Sequence, residues 1–224
     1  MYTRYKQAFK GIGNQGFLGF YKGNGIGIIH TLINGFFKSI GNFGLLHLDT
    51  ANNLNLSPTK KIALFSICST IIDMSLHPLH LTQTRLILQD RRKNFITYKN
   101  VIDLWKSAIN TKSLYAGVLG HLPLNIILFS SYLLPHNTNN PLWSFTGLIP
   151  LIFTYPILTI MRRIEAQSND KGMLPFKYKG FTNALNIIAK EEGVKALYRG
   201  FSANFLLVSS GIFLSIVSQV YSPF

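Results

Sequence analysis

Three short sites each bring an aromatic ring and a glycine to the start of an apolar segment, two of them with a cation between. They are Phe20-Tyr21-Lys22-Gly23, Leu114-Tyr115-Ala116-Gly117 and Leu197-Tyr198-Arg199-Gly200. A helix N-terminus offers amide donors and the positive end of the helix dipole, which suits a phosphate. With Lys22 or Arg199 alongside, and glycine allowing close approach, such a site fits a lipid phosphate. The same residues also serve simply as a turn and an interfacial anchor. Other chemistry is sparse. Asp73 is the one acid deep in a helical segment, and the single cysteine, Cys68, lies in an apolar run and reads as packing. No Ser-His-Asp set and no His/Cys cluster has workable spacing, so neither an enzyme nor a metal site is expected.

The elements around these sites repeat, and a repeat governs the reading of a fold. Upstream of each glycine stands a Tyr-Lys pair, Tyr5-Lys6, Tyr98-Lys99 and Tyr178-Lys179, at 18, 19 and 22 residues. The residues between read as a short amphipathic helix, with Val101, Ile102, Trp105 and Ala108 in one copy and Phe181, Ala184, Leu185 and Ile188 in another. Two copies extend further back to a proline late in an apolar helix, His77-Pro78 and Tyr155-Pro156. Those prolines lie 39 and 44 residues before their glycines, and the same count from Gly23 runs off the start of the sequence. The first copy therefore has no room for a proline helix.

Composition places these elements in a bilayer. Hydrophobic residues make up 47% of the 224 and charged ones only 13%, against about 25% charged in soluble domains. Apolar segments at 24–46, 62–85, 116–134, 142–164 and 201–221 each approach the ~20 residues that a spanning helix needs. They lack the alternation of barrel strands, so a helical bundle is expected. The net charge of +14 is gathered in three stretches, 1–22, 85–112 and 162–199, which hold 19 of the 22 Lys/Arg. Basic loops between paired apolar segments follow the positive-inside pattern, not the basic-aromatic face of a nucleic-acid binder. The N-terminal stretch lacks the apolar core of a secretory signal.

The threefold pattern resembles the mitochondrial carrier family, whose members carry three such repeats and six membrane helices. In that family each odd helix ends in Pro-x-acid-x-x-base-x-base. A matrix helix follows, then an aromatic-basic-glycine site. Here the proline copies read Pro78-Leu79-His80-Leu81-Thr82-Gln83-Thr84-Arg85 and Pro156-Ile157-Leu158-Thr159-Ile160-Met161-Arg162-Arg163. Arg85 and Arg163 keep the final base, and Thr84-Arg85-Leu86 and Arg162-Arg163 look like the ADP/ATP carrier branch. The resemblance implies an all-α membrane protein of about five transmembrane helices plus short surface helices. It further implies a truncated first repeat over 1–46, a second over 62–134 and a third over 142–224, within a single membrane domain.

The resemblance also sets expectations for function. Family acids and bases from three proline helices form an ion-pair ring that closes the matrix side. Here the acid positions are His80 and Leu158 and the first-base positions are Gln83 and Met161. The even helices likewise end without the family's acid, at Lys38-Ser39-Ile40-Gly41, Ser131-Tyr132-Leu133-Leu134 and Val220-Tyr221-Ser222-Pro223. Both gates are thus expected to be disabled, which favours a transport-inactive structural subunit of a respiratory-chain complex in the mitochondrial inner membrane. The alternative is an active carrier exchanging an anionic solute such as a nucleotide. His30, Lys38 and His121 are its candidate contacts, and His30 also reads as a histidine bonded to a neighbouring helix. By the same resemblance Tyr21, Lys22, Gly23, Gly117, Tyr178, Gly180, Tyr198, Arg199 and Gly200 would bind cardiolipin. Glu191 and Glu192 read as solvated loop charges. Lipids and neighbouring membrane subunits are the expected partners, and no cofactor other than bound cardiolipin is expected.

Overall fold

The computed structural model describes residues 13, 16–17, 21, 23–51, 56–88, 98, 100–130, 148–168 and 175–221. Lys22, Lys99, Arg91 to Lys93, residues 131–147 and the last three positions lie outside them, as do Tyr5-Lys6 and Phe20. The described elements are helical. Helices run over α1 (Asn24–Ala51), α2 (Pro58–Leu88), α4 (His121–Ser130), α5 (Leu148–Glu165) and α7 (Phe201–Tyr221). Between them lie two short amphipathic helices, α3 (Val101–Asn110) and α6 (Phe181–Glu191), and two 3-10 turns, Val118–Gly120 and Val194–Tyr198. By length and apolar composition, Pro58–Leu88 and Val194–Leu214 are long enough to cross a membrane.

Each boundary has a local cause. Asn100 caps α3, its side chain accepting from the Asp103 amide at 3.0 Å. Gly23, Gly117 and Gly200 take φ of +78°, +88° and +91° just ahead of α1, the Val118 turn and α7, a conformation that side-chain-bearing residues resist. Both internal prolines sit within continuous helices, Pro78 in α2 and Pro156 in α5. Proline lacks an N–H, so the carbonyl four residues earlier loses its helical donor. For Pro156 that carbonyl belongs to Ile152, and the Tyr198 hydroxyl donates to it at 3.3 Å.

α2 packs along α1 on one side and α4 on the other, while α5 touches α4, α2, α6 and α7. Close approach between α1 and α2 rests on Gly27, which lies against the Gln83 side chain, and Gly41, which lies against Ile72. Two apolar clusters fasten the short helices. Leu81, Tyr98, Leu104 and Ala108 join α3 to α2, and Ile160, Ile164, Ala184, Ile188, Ala196 and Leu197 join α6 and the Val194 turn to α5. Outside these clusters the pattern is inverted. Ser66, Ser69, Thr70, Asp73, His77, Thr84 and Arg85 of α2 are buried, while Ile28, Leu32 and Phe36 of α1 and Leu206, Leu207 and Phe213 of α7 are exposed. A groove of ≈ 420 Å³ between α1, α2 and α4 is lined by Asn42, Leu46, Pro58, Lys61, Ile62, Phe65 and Phe129.

Candidate functional site

The buried polar residues of α2 recur every three or four positions, so they form one stripe along the helix. Asp73 lies midway along it, 5% exposed. Its carboxylate accepts from Asn34 Nδ2 at 2.7 Å and Lys38 Nζ at 2.9 Å, both on α1, and from Asn125 Nδ2 on α4 at 2.8 Å. A charge in an apolar environment persists only when paired, and here three helices converge on one acid. Lys38, a candidate solute contact, is thus Asp73's counter-ion.

One turn further along α2, His77 Nε2 lies 2.9 Å from the Ala116 carbonyl. A carbonyl only accepts, so Nε2 carries the proton and Nδ1 presents a lone pair. His121 Nε2 lies 3.1 Å from that Nδ1 and donates to it. The other His121 nitrogen faces Asp73 Oδ2 at 3.8 Å. His80, on the next turn, places Nδ1 2.8 Å from Glu165 Oε1 on α5, and its ring lies 5.5 Å from that of His30. Glu165 is fully buried, and its second oxygen accepts from Thr84 Oγ1 at 2.7 Å. Arg85, also fully buried, donates to the Glu165 carbonyl at 3.1 Å, to Ser113 Oγ at 2.8 Å and to the Gln167 carbonyl at 2.9 Å.

The acid positions of the proline motifs hold no acid, as expected. His80 and Leu158 do occupy the acid positions, but Glu165, nine residues after Pro156, supplies a carboxylate to His80 from the facing helix. Glu165 follows Met161 by four residues and so shares its helix face, a signal that the motif positions alone do not contain. Sequence spacing gives no His/Cys metal cluster, but the fold brings three possible donors together. One donor atom each from His77, His80 and Glu165 lie within 4.8 Å of one another. Residues separated by 85 positions meet there.

The remaining motif residues serve mainly in packing. Gln83 rests on Gly27, and Met161 is buried against Gly120. Arg163 forms an ion pair with Glu192, which is also held by Arg199 at 3.0 Å. Glu192 is thus a clasp between α5 and the loop before α7 and not a free loop charge. The Arg163 hydrogen bond holds its carboxyl below the ordinary glutamate range. Lys177 pairs with Glu191 in the same way.

Among the expected lipid contacts, Tyr21 is exposed and packs on Phe17, and Lys22 lies outside the described residues. Tyr178 receives a hydrogen bond from Gln167 Nε2 on its carbonyl at 3.3 Å, and Gly180 starts α6 with extended backbone. Tyr198 stacks on Tyr155, whose hydroxyl donates to the Arg199 carbonyl at 2.9 Å. The Arg199 side chain is 63% exposed beside the N-terminus of α7.

Residues 141–222 match the family described as mitochondrial carrier protein. The chain is 23% identical over 220 residues to a calcium-binding mitochondrial carrier protein, SCaMC-2-A, of Danio rerio, covering 88% of this chain and 45% of that one. It is 31% identical over 135 residues to the ADP,ATP carrier protein ER-ANT1 of Arabidopsis thaliana, covering 51% and 42% respectively. The mitochondrial brown fat uncoupling protein 1 of Ochotona dauurica is 25% identical over 175 residues, covering 68% and 57%. The chain spans less than half the length of the first of these relatives. Two of the three are named as carrier proteins.

Proposed function

We propose, with the chain's membership of the mitochondrial carrier family as the premise, that it is the membrane domain of a solute carrier in the mitochondrial inner membrane. The observation that carries this reading is the His80–Glu165 contact between α2 and α5. By the resemblance, a closed carrier is held shut where its proline helices exchange acid-base contacts. In this chain the roles are exchanged, with a histidine at the acid position of one helix and a glutamate beyond the base position of the next. A breakable interhelical contact gives the two helices a closed arrangement that solute binding could release.

The solute class is an anion, with His30 as the candidate contact beside His80, and Lys38 and His121 around Asp73 above it. Phosphate headgroups of the cardiolipin type are the proposed lipid ligands at the Tyr-basic-Gly sites, supported by exposed Arg199 at the start of α7. The deciding experiment is reconstitution of the full chain in liposomes with labelled nucleotides and smaller anions. Saturable exchange that changes in Glu165→Gln is expected, and flux no faster than in empty liposomes would sink the reading.

A second reading, the structural subunit of a respiratory-chain complex, is favoured by apolar Leu158 and Met161, where the family pattern has an acid and a base. Stable, stoichiometric co-purification with such a complex, together with absent flux, is its signature.

A further inference from the structure

The polar seam narrows at one place into a set of donors with a distinct chemistry. His77 and His80 stand three residues apart on α2, so both rings leave the same face of the helix. Glu165 meets them from α5, and one donor atom from each lies within 4.8 Å of the others. Metal–ligand bonds of 2.0–2.1 Å put opposed ligands about 4.2 Å apart at most, so the three need only a small inward movement to share an ion. His80 is partly exposed and can make it.

The supports are also those of a ligand set. The Ala116 carbonyl binds the Nε2 proton of His77 and so leaves Nδ1 as the lone pair, the outer-shell arrangement that fixes a ligating imidazole. Thr84 Oγ1 anchors one Glu165 oxygen at 2.7 Å, leaving the other directed at His80. The guanidinium of Arg85 binds the backbone carbonyls of Glu165 and Gln167 and the Ser113 hydroxyl. A fully buried carboxylate then has histidine and hydroxyl partners, with Arg162 Nη1 3.2 Å from the same Thr84 hydroxyl as the neighbouring cation, and its His80-facing oxygen is the one placed to take an ion.

We propose that His77, His80 and Glu165 form a binding site for a divalent first-row transition ion of the zinc or ferrous class. Two imidazoles with one carboxylate select such ions, whereas calcium and magnesium take oxygen donors. The ion takes the His77 Nδ1 lone pair from the His121 N–H and ties α2 to α5 at the His80–Glu165 contact. The site goes beyond the transport reading and does not depend on it.

The test uses the full chain, purified in lipid–detergent micelles without a histidine tag, loaded with zinc and passed through a desalting column. Elemental analysis should find one zinc per chain, and cobalt(II) in its place should give visible ligand-field bands of low coordination number. His80→Gln and Glu165→Gln should each lower retention by more than about tenfold, while His80→Cys, which offers a thiolate, should restore it. His47→Gln, on α1 away from the cluster, should retain as much as the wild type. Helical circular dichroism shows whether each variant is folded. Substoichiometric zinc on the folded wild-type chain overturns the proposal. So does retention unchanged in a folded His77→Gln/His80→Gln/Glu165→Gln variant, which would mark the metal as surface-bound. Neither readout involves flux, so failure of the metal site and failure of transport are separate results.

Discussion

His80 Nδ1 lies 2.8 Å from Oε1 of Glu165, a residue 85 positions later in the chain whose side chain is wholly removed from solvent. This contact ties the proline-bearing helices α2 and α5 directly, and it has no counterpart at the acid position of α5, where Leu158 stands. Its removal is therefore the most informative single perturbation of the fold.

Glu165→Leu leaves His80 without its carboxylate acceptor and Thr84 with only the His80 carbonyl of its own helix. The expected loss is about 1–3 kcal/mol, the cost of a buried polar group left unpaired. Joint His80→Leu/Glu165→Leu should recover part of that loss, because replacing both partners removes the stranded group. Thermal unfolding of the three variants at fixed lipid content checks it. A double-variant loss equal to the sum of the two single losses would show that the contact carries no coupling.

Asp73 should be the more sensitive position. Asp73→Ala strands the Lys38 ammonium and the amides of Asn34 and Asn125 together. Breaking a buried pair on one side costs about 3–5 kcal/mol. Asp73→Asn should cost less, since its carbonyl still accepts. Melting temperatures of the two, compared with Lys38→Met, measure the ordering.

Gly200→Ala should weaken the start of α7 for two reasons. The residue has φ of +91°, and an added Cβ would come 2.8 Å from the Tyr155 hydroxyl. The backbone part alone costs about 1–2 kcal/mol. Limited proteolysis should cut the Val194–Gly200 region faster in the variant. Gly13→Ala, where an added Cβ meets nothing within 4 Å, is the control.

The pH dependence follows from Glu192. Its folded-state carboxyl titrates below the ordinary value because Arg163 hydrogen-bonds the charged form. The unfolded chain thus binds its proton first as pH falls. The stabilisation is complete above the ordinary glutamate value and fades as pH drops through the lowered one. For a partly exposed pair it is at most about 1 kcal/mol. Wild type should melt above Glu192→Gln at neutral pH, and the gap should close in acid.

What is legible along the chain is local. Helix starts at Gly23, Gly117 and Gly200, the amphipathic stretches at 101–110 and 181–191, and the prolines at 78 and 156 are written in spacings of a few residues. The contacts that define the site are not. Asp73 meets Asn125 across 52 residues and Lys38 across 35, and which faces meet depends on helix packing. Glu165 is hidden from a motif reading because it lies two residues past the basic position Arg163, although helical periodicity places it one turn beyond Met161. Glu192 looks like a solvated charge in sequence because its cation, Arg163, lies 29 residues upstream.

Outside the two apolar clusters, the described interior of this protein is wetter in chemistry than its exterior. Serines, threonines, histidines, an aspartate, a glutamate and an arginine turn inward, while phenylalanine, leucine and isoleucine rings and branches point out. In an aqueous medium such an arrangement would drive the chains to clump at their outer faces. Hydrocarbon tails reverse that tendency, since they are content beside those outer side chains and hostile to the polar seam. On the membrane reading proposed above, lipid acts as a shell of the structure in its own right, and extraction into thin micelles should loosen α1 and α7 before it disturbs the polar stripe on α2.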